Sequence, residues 1–205
     1  MAGRKIPEVY LDLLSQPCRA VHILLSHSKV PFTVRTVALR KGENKTPEFT
    51  RLNPMQKVPV LVDNGFVLTE SVAILKYLVT KYSIPQHWYP SQAERRAKVL
   101  FPRMTGSAVD GVKLERALAE LKETLDRLES MFLKRQPFLC GDDITLADLL
   151  AVCELMQPLG GDRDVLSDRP KLQQWRSRIQ SALGESFDQS HSVLYKVREN
   201  FKSKL

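Results

Sequence analysis

Cysteine is scarce in this chain, with three among 205 residues: Cys18, Cys140 and Cys153. An odd count without metal-ligand spacing excludes a disulfide framework and a zinc module, and the three read as reduced thiols. The four histidines, His22, His27, His87 and His191, form no metal pattern. No stretch reaches the roughly 18 consecutive apolar residues of a membrane span. The short apolar run at residues 11–14 is broken by Asp12, which argues against a signal peptide. Internal repeats and low-complexity segments are missing as well. The expectation is a cytoplasmic protein that needs neither a membrane nor a metal.

What is present is ordinary for a globular protein: 43% apolar and 26% charged residues. The formal net charge is +8. Residues 1–82 hold 12 Lys/Arg against 6 Asp/Glu, and the remainder 19 against 17, so most of the excess lies in the first part. Basic residues there are scattered rather than clustered, so no nucleic-acid partner is expected. A small anionic ligand would gain from the same field.

Residues 9–14 read as a short buried strand. Gln16-Pro17 opens a helix, because proline suits the first helical turn, and Ala20, Val21, Leu24 and Leu25 give it an apolar face. A second strand spans 32–39, followed by a polar loop and a short helix over 47–52. A third strand spans 58–62. Asp63-Asn64-Gly65 predicts a tight hairpin turn, with 66–68 as the return strand, and a helix runs from Thr69-Glu70-Ser71 to about Tyr82. The order β-α-β-α-β-β-α is thioredoxin-like, with a right-handed parallel unit followed by an antiparallel pair. Residues 83–91, with Pro85 and Pro90, read as a linker.

Beyond it the pattern is helical. Leu114, Ala117, Leu118, Leu121, Leu125, Leu128 and Phe132 recur at helical spacing. Thr145 through Asp148 is a capping-box-like start to a helix buried on most sides, and 170–183 is a further helix with Trp175 and Ile179 on one face. The domains expected are 1–82, thioredoxin-like α/β, and 92–205, all helical, joined by 83–91.

Few residues suggest chemistry on their own. Ser15 sits at a strand-to-helix corner, where free N–H groups and a helix dipole favour an anion. Its hydroxyl could donate to a bound thiolate and lower that thiol's pKa, or it could be an ordinary helix cap. No histidine or carboxylate stands nearby as a base, against a serine hydrolase. Cys18, three residues on, has the spacing of a redox pair whose first member is replaced, or is a small buried apolar residue. Glu70-Ser71 opens a helix whose start could hold a carboxylate or simply be capped.

The segments Tyr10-Leu-Asp-Leu-Leu-Ser-Gln-Pro-Cys-Arg-Ala-Val21, Asn53-Pro-Met-Gln-Lys-Val-Pro59 and Leu68-Thr-Glu-Ser-Val-Ala-Ile-Leu75 resemble theta-class glutathione transferases. So do His87-Trp-Tyr-Pro90, Ile144-Thr-Leu-Ala-Asp148 and Arg169-Pro-Lys-Leu-Gln-Gln-Trp175, in collinear order along nearly the whole chain. The resemblance implies a thioredoxin-like domain followed by a glutathione-transferase-type helical domain, in an enzyme conjugating glutathione to small electrophiles. It implies that Ser15 activates the glutathione thiol and that Val58, before a cis Pro59, pairs its backbone with the cysteinyl part. By the same resemblance Lys57 meets the glycyl carboxylate, Glu70 the ammonium and Ser71 the carboxylate of the γ-glutamyl end, and Asp148 is a structural cap. Asn44 stands where relatives often place a glutathione-touching histidine.

The chain also departs from the family. Arg95 through Val99 resembles the start of the first long helix of the helical domain, and Leu100-Phe-Pro102 the segment after it. About 20 residues are absent between them, roughly 30 Å of helix. In relatives that helix walls the electrophile pocket and helps form a dimer interface, and a longer C-terminal tail caps the site. A homodimer weakened by this loss is expected. The alternative reading is a non-catalytic or poorly folded member of the family that binds glutathione or proteins.

Overall fold

The computed structural model describes residues 6–90 and 111–203. The join at Val99-Leu100 and the segments flanking it lie outside the described residues. The first part is a four-stranded sheet in the order β2-β1-β3-β4. β1 (Glu8–Leu11) pairs in parallel with β2 (Thr33–Thr36) and antiparallel with β3 (Val60–Asp63), which pairs antiparallel with β4 (Phe66–Leu68). Between β1 and β2 runs α1 (Gln16–His27); α2 (Pro47–Leu52) precedes β3, and α3 (Ser71–Lys81) follows β4.

Strand side chains alternate between the faces, as a two-residue period requires. Val9, Leu11 and Leu61 join the main core with α1 and α3. Tyr10 and Val60 face the other way, onto Val37, Phe49 and Leu52 around α2. Asn64 and Gly65 take φ of 52° and 84°, the left-handed pair a two-residue hairpin turn needs.

The return strand β4 spans the expected residues, but the first three strands are shorter than their sequence suggests. β1 stops at Leu11 because the Asp12 carboxylate accepts the N–H of Leu14 and turns the chain. β2 stops at Thr36, and beyond it the Glu43 carboxylate takes the Ala38 N–H at 2.7 Å and starts a pair of 3₁₀ turns, Leu39–Lys41 and Glu43–Lys45. The described part of the expected linker, 83–90, carries a 3₁₀ turn, Gln86–Trp88, and buries Ile84 and Trp88 in the core.

The helical part comprises α4 (Gly111–Arg127), extended by a π-helical stretch Leu128–Phe132, then α5 (Leu146–Met156), α6 (Pro170–Leu183) and α7 (Glu185–Lys202). Of the residues expected to line α4, Leu125 is buried. α5 is buried along most of its circumference, and Trp175 and Ile179 of α6 lie wholly inside. One continuous apolar core spans both parts, with α1 packed against α3, α5 and α7.

Candidate active site

Sheet register gathers the sequence-predicted residues. Tyr10 lies opposite Val60 and Leu61 opposite Leu68. Extending these pairings brings the chain after β1, the chain before β3 and the chain after β4 to the same end of the sheet. Ser15, Val58-Pro59 and Glu70-Ser71 occupy those three segments, and α1 and α3 both begin there.

The Ser15 corner is tightly built. Asp12 accepts the N–H of Leu14 and of Leu39, each at 2.9 Å, through its two carboxylate oxygens, and its carbonyl accepts the Ser15 N–H at 2.9 Å. Ser15 is the N-cap of α1 in extended conformation, yet its side chain caps no N–H. The first turn of α1 carries no acidic residue. Its dipole is therefore left to act on whatever anion arrives there. Cys18 is buried, and burial pushes its thiol up to about 11 despite the Ser15 hydroxyl beside it. Burial and the raised pKa both favour a small buried thiol over a reactive thiolate.

The second segment is held by amides. Asn53, buried, donates to the Lys57 carbonyl at 2.8 Å and accepts the Met55 N–H at 3.1 Å. Gln56, at φ 54°, donates to Thr50, and its carbonyl accepts the Asn44 side-chain amide at 2.9 Å. Asn44 thus ties the 3₁₀ turn to this loop. Lys57 is exposed, Val58 is half-buried, and the Val58-Pro59 bond is cis.

Glu70 caps α3 at φ 66°, ψ 109°, a conformation few non-glycine residues adopt, and its side chain makes no capping bond. Such strain persists where surroundings over-determine it and is common at ligand clamps. Ser71 follows as the first residue of α3, whose first turn also lacks acids. Asp148 is not part of this gathering. It lies at the start of α5, wholly buried, and accepts from the N–H groups of Leu139 and Thr145, the Thr145 hydroxyl and the Trp175 indole.

Sequence reasoning passed over Asp12, Arg19 and Asn53. The signal for Arg19 was a cation flanked by Cys18 and Ala20 on an apolar helix; Asp12 and Asn53 carried only the turn preference of their residue types. Among the described residues no cluster of His, Cys, Asp or Glu is arranged to hold a metal. The arrangement offers two helix starts whose first turns hold no acid, with the Ser15 hydroxyl at one and the Ser71 hydroxyl and the Glu70 carboxylate at the other, flanking an irregular backbone segment.

Two family models match the chain: "Glutathione S-transferase, N-terminal domain" over residues 10–80 and "Glutathione S-transferase, C-terminal domain" over residues 74–182. Bovine glutathione S-transferase theta-1 is 43% identical over 217 residues, covering 94% of this chain and 90% of the relative. Since 94% of 205 residues is about 193, about 24 positions of that match have no counterpart in this chain. Among solved structures, human glutathione transferase theta-2 in complex with glutathione and an unknown ligand superposes with a TM-score of 0.87 at 38% identity, covering 97% of this chain and 91% of that one. A human theta-class enzyme in complex with the glutathione conjugate of 1-menaphthyl sulfate gives the same TM-score and identity, with coverage of 98% and 91%. On these matches the chain belongs to the glutathione S-transferase family, and within it to the theta class.

Proposed function

We propose that this theta-class glutathione transferase activates the glutathione thiol through the Ser15 hydroxyl and delivers the thiolate to small electrophiles, halogenated or epoxide carbons among them. The observation that carries the reading is the Ser15 side chain, set at the N-cap of α1 but spent on no capping bond. A hydroxyl donating to sulfur favours the thiolate, and the proton leaves to solvent without a protein base. The sulfur lone pair then forms the S–C bond as the carbon–halide bond breaks and halide departs, or as the epoxide opens to an alkoxide that takes up a proton.

The same reading assigns the rest of the tripeptide. The Val58 backbone pairs with the cysteinyl unit, Lys57 meets the glycyl carboxylate, Ser71 and the start of α3 take the γ-glutamyl carboxylate, and Glu70 takes the ammonium. Asn44 contributes from the adjoining turn, and Pro59 and Asp148 act structurally. The strained Glu70 backbone and the acid-free first turn of α3 support the γ-glutamyl assignment. Replacing Ser15 with Ala removes one hydrogen bond to a charged group, worth about 1.5–3 kcal/mol. Conjugation at neutral pH is expected to fall roughly ten- to hundredfold. Full activity in that variant would overturn the mechanism.

We further propose a cytoplasmic homodimer. The thiol state of all three cysteines suits a reducing compartment, and the exposed Phe66 and Val67 on the edge strand β4 suit burial against a second copy. A second reading, a shortened member that binds glutathione without turnover, is favoured by the positions of the bovine match that find no counterpart here. Turnover comparable with a full-length relative would remove it.

A further inference from the structure

Arg19 lies in the first turns of α1 and is completely buried. Its two terminal nitrogens make four contacts. Nη1 donates to the carbonyls of Leu13 at 2.8 Å and Leu14 at 3.2 Å, the two residues that lead into Ser15. Nη2 donates to the Cys153 carbonyl at 3.0 Å and to the Gln157 side-chain oxygen at 2.6 Å, both on the far side of the domain boundary, in and just beyond α5. Every one of these acceptors is neutral. Among the described residues no carboxylate stands at ion-pair distance from the guanidinium; Glu154 and the thiols of Cys18 and Cys153 are the acidic groups near it, and the buried His191 is the other basic one. Burial lowers the basicity of Arg19, yet an arginine stays charged in proteins.

A buried cation without a paired carboxylate is costly, and four neutral acceptors need hydrogen-bond donors, not a charge. The charge has a use beside the start of α1, where it adds to the helix dipole. We propose that Arg19 is the positioning residue of the thiolate site: its guanidinium fixes the Leu13-Leu14-Ser15 turn against α5, aims the Ser15 hydroxyl, and adds positive potential where the glutathione sulfur binds. This rests on the assignment of Ser15 above. It also makes the thiolate site depend on the helical domain, because half of the guanidinium's acceptors belong to it.

The test compares Arg19→Gln, Arg19→Lys and Ser15→Ala. The pKa of the bound glutathione thiol is read from ultraviolet thiolate absorbance of the saturated complex across pH, alongside the pH profile of kcat. Arg19→Gln keeps donors but loses the charge, and is expected to raise the bound-thiol pKa by about one unit, with roughly tenfold less thiolate on the acid side. Arg19→Lys keeps the charge but not the fork, and should shift it less. A purely structural arginine would lower thermal stability and leave the thiol pKa alone, so an Arg19→Gln protein that binds glutathione with the wild-type pKa overturns the proposal. Should that variant not fold, Gln157→Leu, which frees only the far arm, decides instead: a rise in thiol pKa supports the proposal and a wild-type value overturns it. If Ser15→Ala itself leaves the pKa unchanged, the Ser15 assignment falls and this proposal with it. A shift in Ser15→Ala with none in Arg19→Gln sinks the Arg19 role alone.

Discussion

Asp148 distributes four donors evenly over its carboxylate: the Leu139 N–H and the Trp175 indole on one oxygen, the Thr145 N–H and hydroxyl on the other. Burial pushes the carboxyl above its usual range, and the donors only partly offset it. An amide would turn its own NH₂ toward two of those donors. Asp148→Asn is therefore expected to lose about 2–3 kcal/mol in urea unfolding with glutathione affinity of the folded protein retained; a loss near zero would deny the network a role in stability. His191 argues in the opposite sense on acidity. Its Nδ1–H donates to the Phe187 carbonyl, leaving Nε2 buried without a partner, and burial lowers its pKa from 6.5 to about 4. The unfolded chain takes up this proton below pH 6.5 while the native state resists until about 4. Stability is thus full above the unfolded value and falls as pH drops through that window, by about 3 kcal/mol. His22, also depressed by burial, adds in the same direction. Urea midpoints at pH 7.5 and 4.5 should converge in His191→Leu relative to wild type; an unchanged slope would assign the acid sensitivity elsewhere.

Glu70 ties one element's stability to its use. Its positive φ costs on the order of 1–3 kcal/mol, while glycine adopts that conformation freely at some loss of chain entropy. Glu70→Gly is expected to gain about 1 kcal/mol in unfolding free energy and to raise KM for glutathione at least tenfold by removing the carboxylate. Lower stability with unchanged KM would show that the strain serves the fold rather than the ligand. Elements with punctuation at their ends were legible in the sequence: α2 and α6 open on Pro47 and Pro170, and β4 opens after Asn64-Gly65. The ends of β1 and β2 were not. A side-chain bond from Asp12 cuts β1 short, another from Glu43 shapes the turn beyond β2, and neither leaves a period to read. The burial of Trp88 was hidden for a similar reason, since a single buried aromatic in a proline-bearing segment has no periodicity.

At the scale of the whole molecule, collinear motifs made the family legible, and with it the thioredoxin-like and helical architecture. The meeting of three segments at one sheet end was legible only through that resemblance, because residues 15, 58 and 70 come together by strand register rather than by spacing. Arg19 stayed hidden because its partners, Cys153 and Gln157, are more than 130 positions away. These long-range bonds and the shared core mean that the glutathione site and the helical domain stand or fall together, which separates an active enzyme from a poorly folded short form in one experiment. Glutathione at about 100 times its Kd should stabilise the native state by about 2.7 kcal/mol, or roughly 5–11 °C in Tm for a chain of this size. A single cooperative melt carrying that shift is the expected result, and it would mean that the interdomain bolt at Arg19 holds in a chain lacking about 24 of its relative's positions. A cooperative melt without the shift would remove the glutathione site while leaving the fold. A broad melt without it would place the fault in the helical domain, since α1 draws part of its packing from α5 and α7.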